Sequence, residues 1–128
     1  MSNDIFSLKL GNKTQKGIII DVIKEDAIDK TGVALPKLVL IVDIPNKKRL
    51  RLDEAWVRDR KGELRAHGLW LKHDIDGNIN QLSTIGKLMT HFKALTVKEL
   101  LGKEVQIHPK KNDFMAIIAI SDFNEEEI

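Results

Sequence analysis

Short runs of β-branched and aliphatic residues, separated by turn-forming residues, restrict the fold of this chain more than any other feature. Two of these runs, KGIIIDVI at 16–23 and KLVLIVDI at 37–44, have the length and composition of single strands. Turn-forming residues lie at 29–32 between the two runs and at 45–46 after the second. We therefore predict two consecutive strands. We also expect Gly17 to mark a bulge or a tight bend, which a closed barrel needs.

The next stretch alternates between basic and apolar residues. KKRLRL at 47–52 predicts a half-exposed hairpin partner for the second strand, with its two leucines on one face and Arg49 and Arg51 on the other. The following residues, 53–66, are consistent with a helical turn or with a long loop broken at Gly62. The pattern alone leaves these two alternatives open.

One stretch has the periodicity of a helix. Ser83 is a favourable N-cap, and the apolar residues after it fall on one face of a helix over 83–93. Thr96-Val-Lys-Glu99 fits a capping box, which predicts a second short helix that ends at Gly102. The apolar residues of the first helix are Ile85, Leu88, Met89 and Phe92.

Two further hairpins are predicted. One surrounds Asp76-Gly77, between residues 68–73 and 78–81, because this dipeptide favours tight turns. The other joins strands at 104–108 and 114–120 through Pro-Lys-Lys-Asn-Asp. The resulting order of elements is β-β-β(-β)-α-β-β.

The composition is that of a folded single domain. The chain has 128 residues, of which 42% are hydrophobic and 31% charged, and this length can bury a core without covalent staples. The lack of cysteine excludes disulfides, iron–sulfur clusters and a cysteine nucleophile. No run of 18 apolar residues is present, which excludes a transmembrane helix. The first residues lack the pattern of a secretory signal, so we expect a cytoplasmic protein.

The sequence lacks the patterns of a catalytic site. Its four histidines, at 67, 73, 91 and 108, are scattered without metal-ligand spacing. Neither a nucleophile elbow nor a glycine-rich phosphate loop is present. We therefore expect no enzymatic activity, no cofactor and no metal.

Charge is distributed unevenly along the chain. The formal net charge is +2, but residues 121–128 contain four acids and no base. The stretch 47–73 contains nine bases and four acids, which gives it a net charge of +5. A basic middle followed by an acidic end favours nucleic acid as a partner, whereas the alternative is an ordinary solvated face.

The order of elements resembles an OB-fold, a five-stranded barrel with one helix between its third and fourth strands. Gly17 in the first strand, the helix at 83–93 and the terminal hairpin at 103–120 carry this resemblance. OB-folds bind single-stranded DNA and oligosaccharides. The resemblance implies a mainly β, OB-like domain over residues 1–120, followed by a flexible acidic tail over 121–128.

Three local stretches are similar to small phage or archaeal proteins that are thought to have this fold. They are Gly68–Lys72, Ser83–Phe92 and Leu100–Val105. These proteins are uncharacterised, so the resemblance concerns architecture and carries no invariant motif.

The resemblance implies where a nucleic acid would bind. OB-folds bind on their second and third strands and on the loops beside them. Binding a single strand without sequence preference requires cations near phosphates and aromatic faces for stacking. The nucleic-acid-binding residues expected here are Lys47, Lys48, Arg49, Arg51, Trp56, Arg58, Arg60, Trp70, Lys72, Lys110 and Lys111.

The aromatic residues of this surface have alternative roles. Trp70 lies between Leu69 and Leu71, so it faces outward if the leucines are in the core and is itself a core residue otherwise. Trp56 is either a stacking residue or a lid over the edge of the core. Phe114, at the base of the last hairpin, is expected to be half-buried.

The acidic end has a second resemblance. Asp122–Ile128, DFNEEEI, is similar to the acidic tails of bacterial single-strand-binding proteins, which dock partner proteins, but it lacks their proline-containing tip. Alternatively, it folds back on the basic residues and competes with nucleic acid, or it only increases solubility. The partner-binding residues that the resemblance implies are Phe123, Glu125, Glu126, Glu127 and Ile128.

Together these features suggest a non-catalytic protein that binds single-stranded DNA, or RNA, in replication or recombination of a viral or prokaryotic genome. Each OB domain covers only about 4–16 nucleotides, so a homodimer would bind more tightly. The alternative is a protein-interaction module or a phage accessory factor that uses a strand edge or the acidic tail.

Overall fold

Seven strands form one sheet in the computed structural model, which describes residues 14–47, 49–71, 76–111 and 114–128. The strands lie in the order β3-β2-β1-β6-β7-β4-β5. Neighbours are antiparallel except β4 and β7, which are parallel. The strands are β1 (Gln15–Ile28), β2 (Ala34–Asp43), β3 (Leu50–Leu52), β4 (Glu54–Arg58), β5 (Leu64–Gly68), β6 (Glu104–Pro109) and β7 (Met115–Ile118).

The helical predictions are confirmed in part. The α-helix α1 (Thr84–His91) begins after Ser83, whose Oγ accepts a hydrogen bond from the Gly86 N–H at 3.1 Å. The second predicted helix is the 3₁₀ helix Val97–Leu100, which ends two residues before Gly102. A further 3₁₀ helix spans Glu125–Glu127. Among the described residues, no helix has the length and apolar character needed to cross a membrane.

The two predicted hairpins have different outcomes. The terminal hairpin is confirmed as β6 and β7, although residues 112–113 of its turn lie outside the described part of the chain. The hairpin predicted around Asp76-Gly77 involves residues 72–75, which also lie outside it. Gly77 itself has a positive φ of 82°, as a turn requires.

The first strand is bulged, but not at Gly17. The register between β1 and β2 shifts between Ile19 and Asp21, so the predicted bulge lies three residues further along. Gly17 instead permits a close approach of the two strands, because a Cβ there would lie 2.5 Å from Val42 Cγ1. The absence of a side chain at this position therefore serves packing.

The fold departs from the predicted five strands in the stretch after β2. The predicted third strand is β3, and only Asp53 separates it from β4. β3 pairs with β2, whereas β4 pairs with β7 and then forms a hairpin with β5. The structure is therefore mainly β, but its described residues form seven strands instead of five, and α1 follows the fifth of these strands instead of the third.

The residues after β5 return to β2. The Leu38 N–H donates to the Leu69 carbonyl at 2.8 Å, and the Leu71 N–H donates to the Pro36 carbonyl at 2.9 Å. In the described part of the chain, the end strands β3 and β5 do not pair with each other, so the sheet is not closed by its two end strands. The return of residues 69–71 nevertheless brings the segment after β5 beside β2.

Two apolar clusters stabilise the sheet. The main core contains buried residues from β1, β2, β6 and β7 and the apolar face of α1, including Ile85 and Leu88. The second, which we call the tryptophan cluster, consists of Trp56, Ala116 and Ile118 with Leu64, Ala66, Ile120 and Phe123 packed against them. The C-terminal segment thus contributes to a cluster separate from the main core.

Candidate nucleic-acid interface

Trp70 lies on the outer surface between the end of β5 and β2. Leu69 is fully buried, which places Trp70 on the opposite side of the chain, as the first of its two predicted alternatives states. Lys37 on β2 forms a bridge with Trp70, and its Nζ lies 4.7 Å from the centroid of the indole ring. This distance permits a cation–π contact. Trp70 is half-buried, so part of its surface is available to a ligand.

Phe114 lies at the end of the turn between β6 and β7 and is more exposed than expected. Its side chain is 66% exposed, whereas the sequence predicted a half-buried ring. The Lys110 Nζ lies 6.0 Å from the centroid of its ring. An exposed phenyl ring beside an ammonium group can stack on a base while the cation contacts a phosphate.

A surface depression and one ring contact connect these residues. We call the set Lys37, Arg51, Trp70, Lys110 and Phe114 the aromatic–basic surface. A depression of about 360 Å³ is lined by Lys37 and Arg51 from β2 and β3 and by Lys110 and Phe114 from the last hairpin. Trp70 joins the set through its contact with Lys37.

Each cation of the aromatic–basic surface is paired with one carboxylate. Only Arg51–Glu25 is exposed on both sides, and such a pair contributes about 0–1 kcal/mol to stability, so at Arg51 the exchange of the carboxylate for a phosphate costs little. The side chains of Lys37 and Lys110 are 14% and 23% exposed, so these two cations are partly buried beside their carboxylates. The pairs are Lys37–Asp53, with 3.2 Å between Nζ and Oδ2, Arg51–Glu25 and Lys110–Glu54.

Trp56 does not belong to this surface, which corrects its predicted role in stacking. It is 5% exposed, because the C-terminal segment and β7 cover it. Its Nε1 donates a hydrogen bond to the His108 carbonyl at 3.1 Å, and its ring lies 6.2 Å from that of Phe123. Trp56 is therefore a packing residue whose polar atom is satisfied within the protein.

Arg58 is also removed from the predicted interface, because acids of the C-terminal segment already surround it. Its Nη1 and Nη2 donate to the two carboxylate oxygens of Glu127 at 2.8 and 2.9 Å. Its Nη2 also lies 3.1 Å from Asp122 Oδ2. We call Arg58, Asp122 and Glu127 the Arg58 cluster. The hydrogen bonds from Arg58 lower the pKa of Glu127, and the two carboxylates raise the pKa of Arg58.

The other predicted cations lie on several parts of the surface. Lys47 and Arg49 are exposed at the turn between β2 and β3, where the Arg49 Nε lies 4.0 Å from Asp43 Oδ1. Arg60 is exposed in the turn between β4 and β5, and Lys111 is exposed in the last hairpin. Two more predicted residues, Lys48 and Lys72, lie outside the described residues.

The C-terminal segment, predicted to be flexible, packs on the body of the protein. Phe123 is half-buried, with its ring 5.2 Å from that of His108. The Thr14 hydroxyl donates to Glu125 at 2.5 Å. Of the predicted partner-binding residues, Phe123, Glu125 and Glu127 are engaged within the chain, whereas Glu126 and Ile128 are exposed. Apolar packing and a strong arginine pair together hold the segment in place.

Sequence reasoning did not identify Lys37 as a site residue, and it underestimated the exposure of the Phe114 side chain. Lys37 begins a run that the sequence identified as a strand, but its position beside Trp70 depends on pairing between residues 33 positions apart. Phe114 directly follows the polar turn of the last hairpin, and that position was a usable signal for exposure. No local sequence pattern indicated that Lys37 lies beside Trp70, because the two residues pair across a long stretch of the chain.

Comparison of the chain with known protein families, with curated proteins and with solved structures found no match in any of the three.

Proposed function

We propose that this protein binds single-stranded nucleic acid, preferably DNA, through the aromatic–basic surface and without catalysis. The observation that carries the proposal is the shared location of two accessible aromatic rings and three cations. Stacking contributes about 1–3 kcal/mol per base and tolerates any sequence, and cations supply a salt-dependent attraction to the backbone. The surface offers both contributions, with Phe114 inside the depression and Trp70 beside Lys37 on its lining.

The proposal includes an OB-like barrel as the underlying architecture. Support comes from the succession of β3 and β4, which are separated by one residue and together connect β2 to β7. If they are counted as one bent strand and β5 as its hairpin extension, β1, β2, this unit, β6 and β7 form a five-part arrangement in which α1 follows the third unit. OB-folds bind on the second and third strands and on the first and last loops. Lys37, Arg51 and Phe114 occupy corresponding places.

The arrangement favours single strands over duplex. A ring can stack only on a base whose face is exposed, and the bases of a duplex are stacked on one another. The cations alone would bind both forms. We therefore expect the preference for single strands to depend on Trp70 and Phe114, and the salt dependence to depend on the cations.

The proposal is tested by fluorescence anisotropy of a labelled 30-nucleotide strand, single-stranded and in duplex, at two salt concentrations. We expect tighter binding of the single strand and weaker binding at the higher salt concentration. The variants Phe114→Ala and Phe114→Leu separate loss of the ring from loss of apolar surface. Both should weaken binding, because leucine fills space but has no face on which a base can stack.

A matched control is Leu95→Ala, which removes another highly exposed apolar side chain, 88% exposed, from the loop after α1. It should leave binding unchanged. The proposal fails if the protein does not bind the single strand at low salt, or if Leu95→Ala and Phe114→Ala weaken binding equally.

A further inference from the structure

The strand β5 has a free backbone edge. It pairs with β4 over its whole length, from Leu64 opposite Arg58 to Gly68 opposite Glu54. Within the described part of the chain, no other strand lies on its second side, and residues 64–67 make no backbone hydrogen bond there. An edge of this kind presents N–H and C=O groups that can pair with an additional strand.

A groove runs along this edge. It has a volume of about 890 Å³, and the consecutive residues 63–67 line it together with Trp56. Leu64 and Ala66 belong to the tryptophan cluster and give the groove an apolar side. We call this depression the β5 groove. Alternate residues of β5 therefore offer an apolar surface, while the strand edge offers polar backbone groups.

The rim of the β5 groove is mainly basic. Lys30 from the turn between β1 and β2, Arg65, Lys110 and Lys111 line it. Lys30 and Lys111 are exposed, and neither occurs in the ion pairs of the described residues, unlike Lys110, which pairs with Glu54. Arg65 is held by Glu63, with 2.7 Å between Nη2 and Oε2. Four bases and two acids, Glu63 and Glu127, line the groove, so the lining is net positive and attracts an acidic ligand.

Two features favour a peptide over a nucleic acid as this ligand. Among the described residues that line the β5 groove, the aromatic rings are the imidazole of His67 and the nearly buried indole of Trp56. A base therefore finds no exposed indole or phenyl ring there on which to stack. A phosphodiester backbone also lacks the alternating donors and acceptors that a strand edge pairs with, whereas an extended peptide has them.

Residues 127 and 128 of this chain have the chemistry expected of such a peptide. Glu127 and Ile128 line one end of the β5 groove, so an acidic residue followed by an apolar residue already lies there. Glu127 is held by Arg58, which is opposite Leu64 at the start of β5. Residues 65–67 extend beyond this contact and leave the rest of the edge open.

We propose that the β5 groove binds an extended acidic peptide segment of a partner protein, added as a strand to the free edge of β5. The peptide backbone pairs with β5, its apolar residues face Leu64 and Ala66, and its acidic residues meet Lys30 and Lys111. This site is separate from the aromatic–basic surface except that Lys110 borders both.

The probe is a fluorescein-labelled heptapeptide of alternating glutamate and valine, measured by anisotropy with the full-length protein. A second peptide of the same sequence is N-methylated at every backbone amide, which keeps the charge but prevents strand pairing. We expect the first peptide to bind and the second not to bind. Amide hydrogen exchange of residues 64–67 should slow when the first peptide is present.

The charge contribution is tested with the double variant Lys30→Glu with Lys111→Glu. It should weaken binding of the peptide roughly tenfold or more. The matched control, Lys16→Glu with Lys98→Glu, changes the net charge equally at exposed lysines that do not line the groove, and it should have little effect.

Three outcomes would overturn the proposal: no binding of the peptide, equal binding of the methylated peptide, or equal weakening by both double variants. Displacement of the peptide by oligo(dT), together with weaker oligo(dT) binding by the Lys30 and Lys111 variant, would also overturn it and assign the groove to the nucleic-acid interface. If oligo(dT) does not bind at all, the proposed function is contradicted, but the proposal that the β5 groove binds a peptide is unaffected.

Discussion

The two tryptophans of this protein lie 14 positions apart in the sequence and occupy opposite environments. Trp56 on β4 is 5% exposed, with its ring against Phe123 and its Nε1 bonded to the His108 carbonyl. Trp70, after β5, is half-buried on the outer surface beneath the ammonium of Lys37. One residue stabilises the fold, and the other is available to a ligand.

The basic residues also differ in whether their charge is engaged within the protein or available to a ligand. Arg58 binds three partners, Glu127, Asp122 and the Gly62 carbonyl, and has little capacity left for a phosphate. Among the described residues, Lys110 is paired with one carboxylate, that of Glu54. A basic stretch of sequence is therefore not itself a binding surface. The acids that the fold brings to each base decide whether its charge is available.

The largest expected difference between the two tryptophans is in stability. Trp56→Ala removes a buried ring and leaves a cavity, so it should lower the free energy of unfolding by about 3–5 kcal/mol. Trp70→Ala should lower the free energy of unfolding by clearly less, because that ring is half-exposed. Urea unfolding followed by circular dichroism measures both. Equal losses would contradict the different environments.

The next difference concerns nucleic-acid binding. In the single-tryptophan variant Trp56→Phe, oligo(dT) should quench the fluorescence of the remaining Trp70. In the matched variant Trp70→Phe, the remaining Trp56 should show little quenching, because protein groups cover it. Trp70→Ala should weaken binding by about 1–3 kcal/mol, as expected for loss of one stacked base. Quenching of Trp56 alone would reverse the assignment of the interface.

A smaller effect is expected from the side chain that covers Trp56. Phe123→Ala should lower the free energy of unfolding by about 1 kcal/mol, since a half-buried ring contributes only part of a full burial. The emission of Trp56 should shift to longer wavelength, measured in the Trp70→Phe background. Glu126→Gln, an exposed position in the same segment, serves as the control and should change neither quantity. An unshifted spectrum would show that Phe123 does not cover the indole.

The smallest effect is expected from pH. Arg58 lowers the pKa of Glu127 in the folded protein, so this pair stabilises the fold at pH values above the ordinary glutamate pKa. The contribution disappears as the pH falls through the lowered pKa and Glu127 becomes protonated. The difference in unfolding free energy between the wild type and Glu127→Gln should therefore be present at pH 7 and absent near pH 2. A difference that is independent of pH would contradict the pairing.

Local signals predicted a substantial part of the fold. The Ser83 cap, the apolar face with Ile85 and Leu88, and the last hairpin were all identified from short-range patterns. Each depends on interactions between residues close in sequence, such as a hydroxyl and the N–H three residues later. Such contacts form in the same way in any fold, so the sequence is sufficient to recognise them.

The hairpin of β4 and β5 was not identified, and the reason is burial on both sides. Ala55, Trp56 and Val57 are consecutive and all buried, so β4 lacks the alternation that identifies a half-exposed strand. The turn that follows contains Gly62, with a φ of 80°, but the sequence identified this glycine only as a break in a loop. The count of strands was wrong for this reason.

The candidate site was predicted in part. The sequence named Arg51, Trp70 and Lys110 among eleven residues, and the structure brings these three together with Lys37 and Phe114. It could not exclude Arg58, because Asp122 and Glu127 lie 64 and 69 positions away. A basic residue has the same appearance in the sequence whether or not an acid of a distant segment neutralises it.

The sequence by itself determined the mainly β character, the helix cap and the presence of cations and aromatic residues suited to a nucleic acid. The tertiary structure alone decided which tryptophan is buried, which arginine is neutralised and which strand edge is free. The physical reason is the range of the interactions. Turns and caps join near neighbours, whereas burial, ion pairing and strand pairing here join residues separated by tens of positions and exist only once the sheet has assembled.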